Sequence, residues 1–303
     1  MKNILIIGGS YFVGRVFIEE LLNHAEYSIY VLNRGRIPLK LENVKEIICD
    51  RHDAVKLHQT VPPLEWHAVV DFCGYEPEDI VTLLQNLTGS VQQYIYISTA
   101  SVYQNSLNLP MKEDTPTLTC PMPYPGGDYA YKKWLTELKL KELCEERSIV
   151  HTSLRPAFIY GKYNYAPRES YFFNLIAKGE PIIVPTSPQA LFSMVSVWDV
   201  ARICISCLGN EKVFNQAYNV AAEELISYDK LIESLERTTS RKFTILRHPV
   251  SLIEAQKVPL PFPLTEHLIY SGTLLRDILN YQYISFQQGI NRTYNWFFGV
   301  DIR

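Results

Sequence analysis

Short apolar runs alternate with helical patterns through the first half of the sequence, and this alternation restricts the possible folds more than any other feature. Most positions of the strand-like runs are apolar, which indicates strands that are buried on both faces. These runs are KNILIIGG, YSIYVLN, KEIICD, WHAVVDF and QQYIYIST, and helical patterns such as VGRVFIEELLNH stand between them. The pattern predicts an α/β fold in which helices cover both faces of a doubly wound parallel sheet.

The second half of the sequence is less regular. After Gly161 comes the Pro- and Tyr-rich segment KYNYAPRESYFF, and regular structure returns at SMVSVWDVARICISCL. We therefore expect a larger, doubly wound domain from residues 1–160 with 191–220, and a smaller C-terminal lobe from 161–190 with 221–303. A chain of 303 residues, of which 47% are apolar, is long enough to form both.

Charge and cysteine content exclude several classes of protein. The net charge of −3 and the pI near 6.2 give no overall positive field, which argues against nucleic acid as a partner. No stretch is long and apolar enough to span a bilayer, and the opening segment is expected to be a strand rather than a signal peptide.

The dispersed cysteines are typical of reduced thiols in a cytoplasmic protein. Cys204 and Cys207 have the CxxC spacing, but no second pair follows, so we expect no metal site.

The first apolar run ends in GGSYFVG, residues 8–14. Gly8 would let the chain turn sharply, and Gly14 would let the next helix pack closely on the strand with its N-terminus facing a pyrophosphate. In the GxxGxxG spacing, Tyr11 stands where the middle glycine would be. Glycine pairs after a strand are also common in ordinary turns, so this stretch alone leaves both interpretations open.

The ends of the next three strands carry further candidate residues. The second strand ends in VLNRGR, which offers Asn33, Arg34 and Arg36 and no carboxylate. A site for NAD usually has an acidic residue here, whereas a site for NADP supplies a cation, so the pattern favours NADP over NAD. An ordinary solvated basic turn is the alternative.

The third and fourth strand ends could complete the same site. Asp50 and Arg51 close the third strand and could hold an adenine by hydrogen bonding and stacking. Phe72 and Gly74 follow the fourth strand, where the backbone could approach a cofactor at the glycine.

A later helix carries the strongest chemical signal. Asp128 can cap a helix through YAYKKWLTELKLKELCEER, in which Tyr131, Leu135 and Leu138 fall on one face, as in an amphipathic helix. Tyr129 and Lys133 are four residues apart and therefore share a face as well.

An ammonium group near a phenol favours the phenolate, and the pair Tyr129 and Lys133 would bring the phenol pKa from about 10 toward neutrality. Such a phenol can shuttle a proton at physiological pH. The strand end STASVY supplies Thr99, whose hydroxyl could hold the substrate oxygen beside the phenol. A surface Tyr and Lys pair without chemistry is the alternative.

Together these motifs resemble the extended short-chain dehydrogenase/reductases, the NAD(P)-dependent epimerase/dehydratase group. The resemblance covers almost the whole chain and includes the glycine turn, STASVY and the YxxxK spacing. The other matching segments are LRPAFIYG, VSVWDVA, AYNVA and YISFQQGINRTYNWF. The GGSYFVG turn paired with VLNRG is most similar to a subgroup that includes the chloroplast stem-loop-binding proteins and related bacterial reductase-like proteins.

This resemblance implies a Rossmann domain that binds NAD(P) and a small substrate-binding lobe. It implies that Tyr129 is the general acid/base, that Lys133 binds the nicotinamide ribose and lowers the tyrosine pKa, and that Thr99 is the catalytic Ser/Thr. The pyrophosphate would be lined by Gly8, Ser10, Tyr11, Phe12 and Val13, and the nicotinamide would be approached by Pro156 to Ile159. The middle position of the turn is often basic in this subgroup, so Tyr11 departs from its pattern.

The family's commonest substrates are nucleotide sugars. The resemblance thus implies an epimerase or reductase that acts on a hydroxyl or carbonyl carbon of such a substrate. Tyr163, Tyr165 and Arg168 could stack on its base or bind its diphosphate, although an aromatic loop packed on the sheet edge is an alternative. Ala100 and Ser101 stand where a dehydratase has an Asp-Glu pair, which ranks dehydration lower. A non-catalytic protein that senses NAD(P) or binds RNA is the competing hypothesis, and a homodimer is expected from the resemblance.

Overall fold

A parallel sheet forms the centre of the computed structural model, which describes residues 1–123, 126–187 and 189–300. The described strands, numbered along the chain, are β1 (Lys2–Ile7), β2 (Tyr27–Asn33), β3 (Val44–Ile48), β4 (Leu64–Asp71), β5 (Gly89–Val91), β6 (Gln93–Ile97), β7 (Val150–Pro156), β8 (Phe158–Tyr160), β9 (Ile182–Pro185), β10 (Phe192–Ser196), β11 (Gln216–Val220), β12 (Leu225–Ile226) and β13 (Ile245–His248). The central sheet has the order β3-β2-β1-β4-β6-β7-β11, with the short β5 beside β4, and its pairings are parallel. The strand order reverses between β1 and β4, so the predicted doubly wound fold is confirmed.

Helices cover both faces of this sheet. The described helices are α1 (Phe12–Leu21), α2 (Ala54–Thr60), α3 (Pro77–Asn86), α4 (Asp128–Glu146), α5 (Glu169–Lys178), α6 (Val197–Ser206), α7 (Tyr228–Thr239), α8 (Val250–Ala255), α9 (Thr273–Leu279) and α10 (Phe286–Phe298). Ile4 and Ile6 of β1 pack in one hydrophobic cluster with α1 and α6, while Leu5 and Ile7 pack in another with α3 and α4. Successive side chains of a strand point to opposite faces, so β1 is buried on both sides, as its sequence predicts.

The buried face of α4 differs from the one that the apolar periodicity suggests. Leu138 is 45% exposed, whereas Lys133, Thr136 and Glu137 are buried. Tyr131 and Leu135 are half-buried, so the face that these residues share with Leu138 lies at the edge of the core rather than within it. Charged side chains on the inner face of α4 make buried hydrogen bonds to the sheet, and those bonds compensate their desolvation.

A second group of elements packs beside the central sheet. It contains a sheet with the order β12-β10-β8 and the pair β13-β9, and its core includes residues of α5, α7 and α10. Phe192 and Met194 of β10 belong to this core although β10 falls in the range 191–220. The domain boundaries given above thus stay a prediction. None of the helices within the described ranges combines the length and apolar character that crossing a membrane requires.

Candidate active site

A cavity of about 490 Å³ opens at the carboxyl ends of β1, β2, β4, β6 and β7. This is the edge at which doubly wound sheets bind ligands. Most residues predicted for the site line it, namely Gly8, Ser10, Tyr11, Phe12, Val13, Asn33, Arg34, Asp50, Arg51, Phe72, Thr99, Tyr129, Lys133, Pro156, Ile159, Tyr165 and Arg168. Gly74 and Tyr163 do not belong to its lining.

The glycine turn joins β1 to α1 in a tight cradle. Gly8 and Gly9 have φ angles of +85° and +117°, which favour glycine. A Cβ atom on Gly14 would lie 2.7 Å from the Cα of Gly9, so only a glycine lets the helix approach the strand end this closely. The first turn of α1 carries no acidic residue. The free amide groups there fit the pyrophosphate of a dinucleotide.

The end of β2 presents basic side chains to the same cavity. Arg34 and Arg36 are exposed and line it. Asn33 is buried and holds the turn, because its Oδ1 accepts a hydrogen bond from the Gly35 amide at 2.6 Å. The Nδ2 group of Asn33 donates to Glu46 at 2.7 Å. The sequence did not predict this contact with Glu46, because Glu46 belongs to β3 and reaches the end of β2 only through the pairing of these two strands.

Arg51 is fixed in a buried ion pair. Its Nη2 lies 2.9 Å from Oδ2 of Asp71, which also accepts a hydrogen bond from the Tyr94 hydroxyl at 2.7 Å. Arg51 is only 6% exposed but lines the cavity, so its stacking on an adenine stays a prediction. Asp50 remains exposed at the rim. Asp71 thus positions Arg51, a role that the sequence alone does not indicate.

Lys133 is buried and points toward the ends of β4 and β6. Its Nζ donates to the carbonyl oxygens of Gly74 at 2.8 Å and Ile97 at 2.6 Å. It also lies 4.2 Å from the ring centroid of Tyr96, whose hydroxyl donates to the same Gly74 carbonyl. Burial lowers the pKa of Lys133 to about 8. Gly74 therefore orients this lysine and does not itself face the cavity.

Tyr129 stands at the mouth of the cavity. Its side chain is 45% exposed, but desolvation at the hydroxyl raises its pKa to about 12, and the nearby Tyr165 acts in the same direction. The positive charge of Arg168 and an interaction with the Thr99 hydroxyl lower this pKa. Lys133 binds two backbone carbonyls through its ammonium and is not among the groups that shift this pKa, so its expected effect on the phenol stays a prediction.

The segment after β8 brings two of the three predicted substrate residues to the cavity. Nη1 of Arg168 donates to the carbonyl of Ile159 at 2.6 Å, which holds its guanidinium at the wall. Tyr163 lies elsewhere, since its hydroxyl donates to Glu19 at 2.9 Å and its ring packs edge-on against Trp296. The proposed substrate residues are therefore reduced to Tyr165 and Arg168.

A buried carboxyl group fixes this segment. Glu169 is 1% exposed, and its Oε1 accepts a hydrogen bond from the Gly161 amide at 2.8 Å. The side chain of Asn164 donates to its Oε2 at 3.2 Å. Burial raises the pKa of Glu169 to about 7.

The raised pKa of Glu169 predicts a pH-dependent stability. The folded state binds an extra proton between the ordinary pKa of about 4.5 and about 7, so this group stabilises the fold below that window and loses its contribution as the pH rises through it. The loss amounts to at most about 3 kcal/mol. Urea unfolding from pH 4.5 to 8 should show that Glu169→Gln becomes more stable relative to wild type as the pH rises. A constant difference between the two proteins would contradict this prediction.

Comparisons with known proteins identify the family of this chain. Residues 4–221 match the NAD dependent epimerase/dehydratase family. The 41 kDa chloroplast stem-loop binding protein b of Arabidopsis thaliana is 26% identical over 98% of this chain and 80% of its own, and the UDP-glucose 4-epimerase of Vibrio cholerae is 24% identical over 77% and 75%. The UDP-glucuronic acid 4-epimerase of Bacillus cereus, solved with UDP-glucuronic acid and NAD, superposes with a TM-score of 0.76 at 17% identity, covering 99% of this chain and 100% of its own. With its Rossmann-like sheet and glycine cradle, this chain belongs to the NAD dependent epimerase/dehydratase family.

Proposed function

We propose that the protein is a nicotinamide-dependent epimerase that inverts a hydroxyl-bearing carbon of a nucleotide sugar. One observation carries the proposal: Thr99, Tyr129 and Lys133 line the same cavity as the glycine cradle. The names of the Vibrio cholerae and Bacillus cereus relatives support a UDP-sugar as substrate and C4 as the reacting carbon.

The residues of this chain have distinct tasks in such a reaction. The nicotinamide, when bound, supplies a hydride acceptor and donor. Tyr129 takes the proton of the substrate hydroxyl and later returns it, and the Thr99 hydroxyl holds the same oxygen. Lys133 orients the cofactor ribose, while the charge of Arg168 favours the phenolate of Tyr129. Arg168 and Tyr165 bind the diphosphate or the base of the substrate.

Epimerisation is favoured over the other reactions of the family. The UDP-glucose 4-epimerase of Vibrio cholerae and the UDP-glucuronic acid 4-epimerase of Bacillus cereus, both named above, support epimerisation over net reduction. A dehydratase would need further acid and base groups near Thr99, where this chain has Ala100 and Ser101.

We test the proposal by incubating the full chain with UDP-glucose, UDP-N-acetylglucosamine or UDP-glucuronic acid in the presence of NAD or NADP. Proton NMR should detect the C4 epimer of at least one substrate without accumulation of reduced nicotinamide. Stoichiometric formation of reduced cofactor would instead indicate a dehydrogenase. Absence of any epimer would contradict the proposal.

We further propose that the site prefers NADP over NAD. Arg34 and Arg36 offer two exposed cations at the end of β2, where a 2′-phosphate would lie. Loss of a charge-assisted hydrogen bond to phosphate in Arg34→Ala should weaken NADP binding about tenfold and leave NAD binding nearly unchanged. Isothermal titration with both cofactors measures the difference. Lys40→Ala, which removes an exposed cation outside the cavity lining, is the matched control. Equal weakening of both cofactors by Arg34→Ala would contradict the preference.

RNA binding is a second candidate function. It is favoured by the 26% identity with the Arabidopsis stem-loop binding protein over 98% of the chain. The net charge of −3 argues against it, because phosphate backbones are bound through positive charge. A mobility shift of a stem-loop RNA at micromolar protein, weakened by salt, would support this function. An unshifted RNA would exclude it under these conditions.

A further inference from the structure

Three aromatic rings meet beside the glycine turn. The ring of Tyr165 lies 6.1 Å from that of Tyr11 with an interplanar angle of 35°, and 5.7 Å from that of Phe12 with an angle of 82°. Tyr11 belongs to the turn between β1 and α1 and Phe12 is the first residue of α1, whereas Tyr165 belongs to the segment between β8 and α5. Because all three residues line the cavity, two segments that are distant in sequence meet at its edge.

The three rings differ in how firmly they are held. Phe12 is buried, and its backbone has a φ angle of +46°, which residues other than glycine rarely adopt. The turn therefore fixes its position. Tyr11 and Tyr165 are 46% and 69% exposed and are not part of the hydrophobic core. A contact between two exposed rings can open without unfolding its surroundings.

The segment that carries Tyr165 is nevertheless held at both ends. The Gly161 amide donates to Glu169, and Arg168 donates to the Ile159 carbonyl. These bonds keep the segment against the cavity wall, so the ring of Tyr165 stays close to the turn.

We infer that Tyr11 and Tyr165 form a clasp that retains the nicotinamide dinucleotide, so that a bound dinucleotide leaves only after the two rings separate. The inference rests on the proposed function, which supplies the ligand. It also gives the tyrosine at the middle position of the turn a task, since its ring packs toward that of Tyr165.

Slow release of the cofactor suits a redox-neutral reaction. An epimerase takes a hydride from a substrate carbon and returns it to the same carbon, so the dinucleotide can stay bound from one turnover to the next. A reductase must exchange its oxidised cofactor for a reduced one in each cycle. A clasp that slows release is therefore compatible with the proposed epimerisation.

The test is the release rate of the reduced cofactor. NADH or NADPH bound to the full chain is chased with excess oxidised cofactor in a stopped-flow instrument, and its fluorescence reports dissociation. Tyr11→Ala removes the contact between the two tyrosines, whereas Tyr165→Ala removes that contact and the one to Phe12, and each should accelerate release about three- to tenfold. The double variant should release the cofactor no faster than Tyr165→Ala, because Tyr165→Ala already breaks the contact that Tyr11→Ala removes. Tyr165→Phe keeps the ring and should behave like wild type.

Unchanged release from Tyr165→Ala, or additive acceleration in the double variant, would overturn the clasp. If wild type binds a dinucleotide and epimerises a sugar while the variants release it at the wild-type rate, the clasp alone is wrong. If wild type binds neither dinucleotide, the proposed function fails and the clasp fails with it. Melting curves of the cofactor-free variants check folding, which we expect to be unaffected because both side chains are partly exposed.

Discussion

The Tyr129→Phe variant is expected to lower kcat for epimerisation by about 10²- to 10⁴-fold, the usual contribution of a positioned acid/base group. The change removes only the hydroxyl that exchanges a proton with the substrate. The ring stays in place near Tyr75, at a centroid distance of 6.5 Å. Initial rates with saturating cofactor measure the loss, and a cofactor titration should give a wild-type dissociation constant.

A matched variant distinguishes the loss of proton transfer from a distortion of α4. Tyr131→Phe removes a hydroxyl from the same helix two residues further on, outside the lining of the cavity. Its rate should stay within about twofold of wild type, as is usual for surface substitutions of little energetic effect. A Tyr129→Phe enzyme that is as active as Tyr131→Phe would exclude Tyr129 as the acid/base.

The Arg155→Met variant is expected to lose about 3–5 kcal/mol of unfolding free energy, because it leaves a carboxylate buried without its partner. Arg155 of β7 is 4% exposed, and its Nε and Nη2 hold the carboxylate of Glu137 on α4, with the closest contact at 2.6 Å. Its Nη1 also donates to the Tyr103 hydroxyl at 2.8 Å. Urea denaturation measures the loss.

The control for this prediction removes both charges. Arg155→Met combined with Glu137→Leu should recover most of the lost stability, since no charge remains buried alone. If the double variant were as unstable as the single variant, packing around Arg155 rather than the ion pair would hold α4 on the sheet. The pair matters for the proposed reaction because α4 also carries Tyr129 and Lys133.

The sequence predicted those features that depend on residues close together along the chain, namely the buried strands and the glycine turn. The strand residues Leu5 and Ile6 are apolar at adjacent positions, which is the signature of a strand buried on both faces, and the sheet is built accordingly. The glycine turn could also be predicted, because the sharp turn at Gly8 and the close helix packing at Gly14 are both required within one short segment.

The sequence was least informative where segments that are distant along the chain meet. The inner face of α4 is polar because Glu137 pairs with Arg155 from a later strand, and no helical periodicity reveals such a partner. Arg51 follows β3 as a binding residue would, but its guanidinium is bound by Asp71 at the end of β4, and β2 and β1 separate these two strands in the sheet. The pKa of Tyr129 is shifted by burial and by Tyr165, Arg168 and Thr99, which come from other segments and which the YxxxK spacing does not reveal.

The most direct test of the central claim follows the hydride itself. UDP-glucose with deuterium at C4 is incubated with the full chain and a catalytic amount of cofactor in ordinary water, and the product is analysed by NMR and mass spectrometry. If the protein is a redox-neutral C4 epimerase, UDP-galactose forms and keeps its deuterium at C4. Product without that deuterium would contradict the account, as would the absence of a C4 epimer from UDP-glucose and from the C4-deuterated forms of the other two UDP-sugars named above.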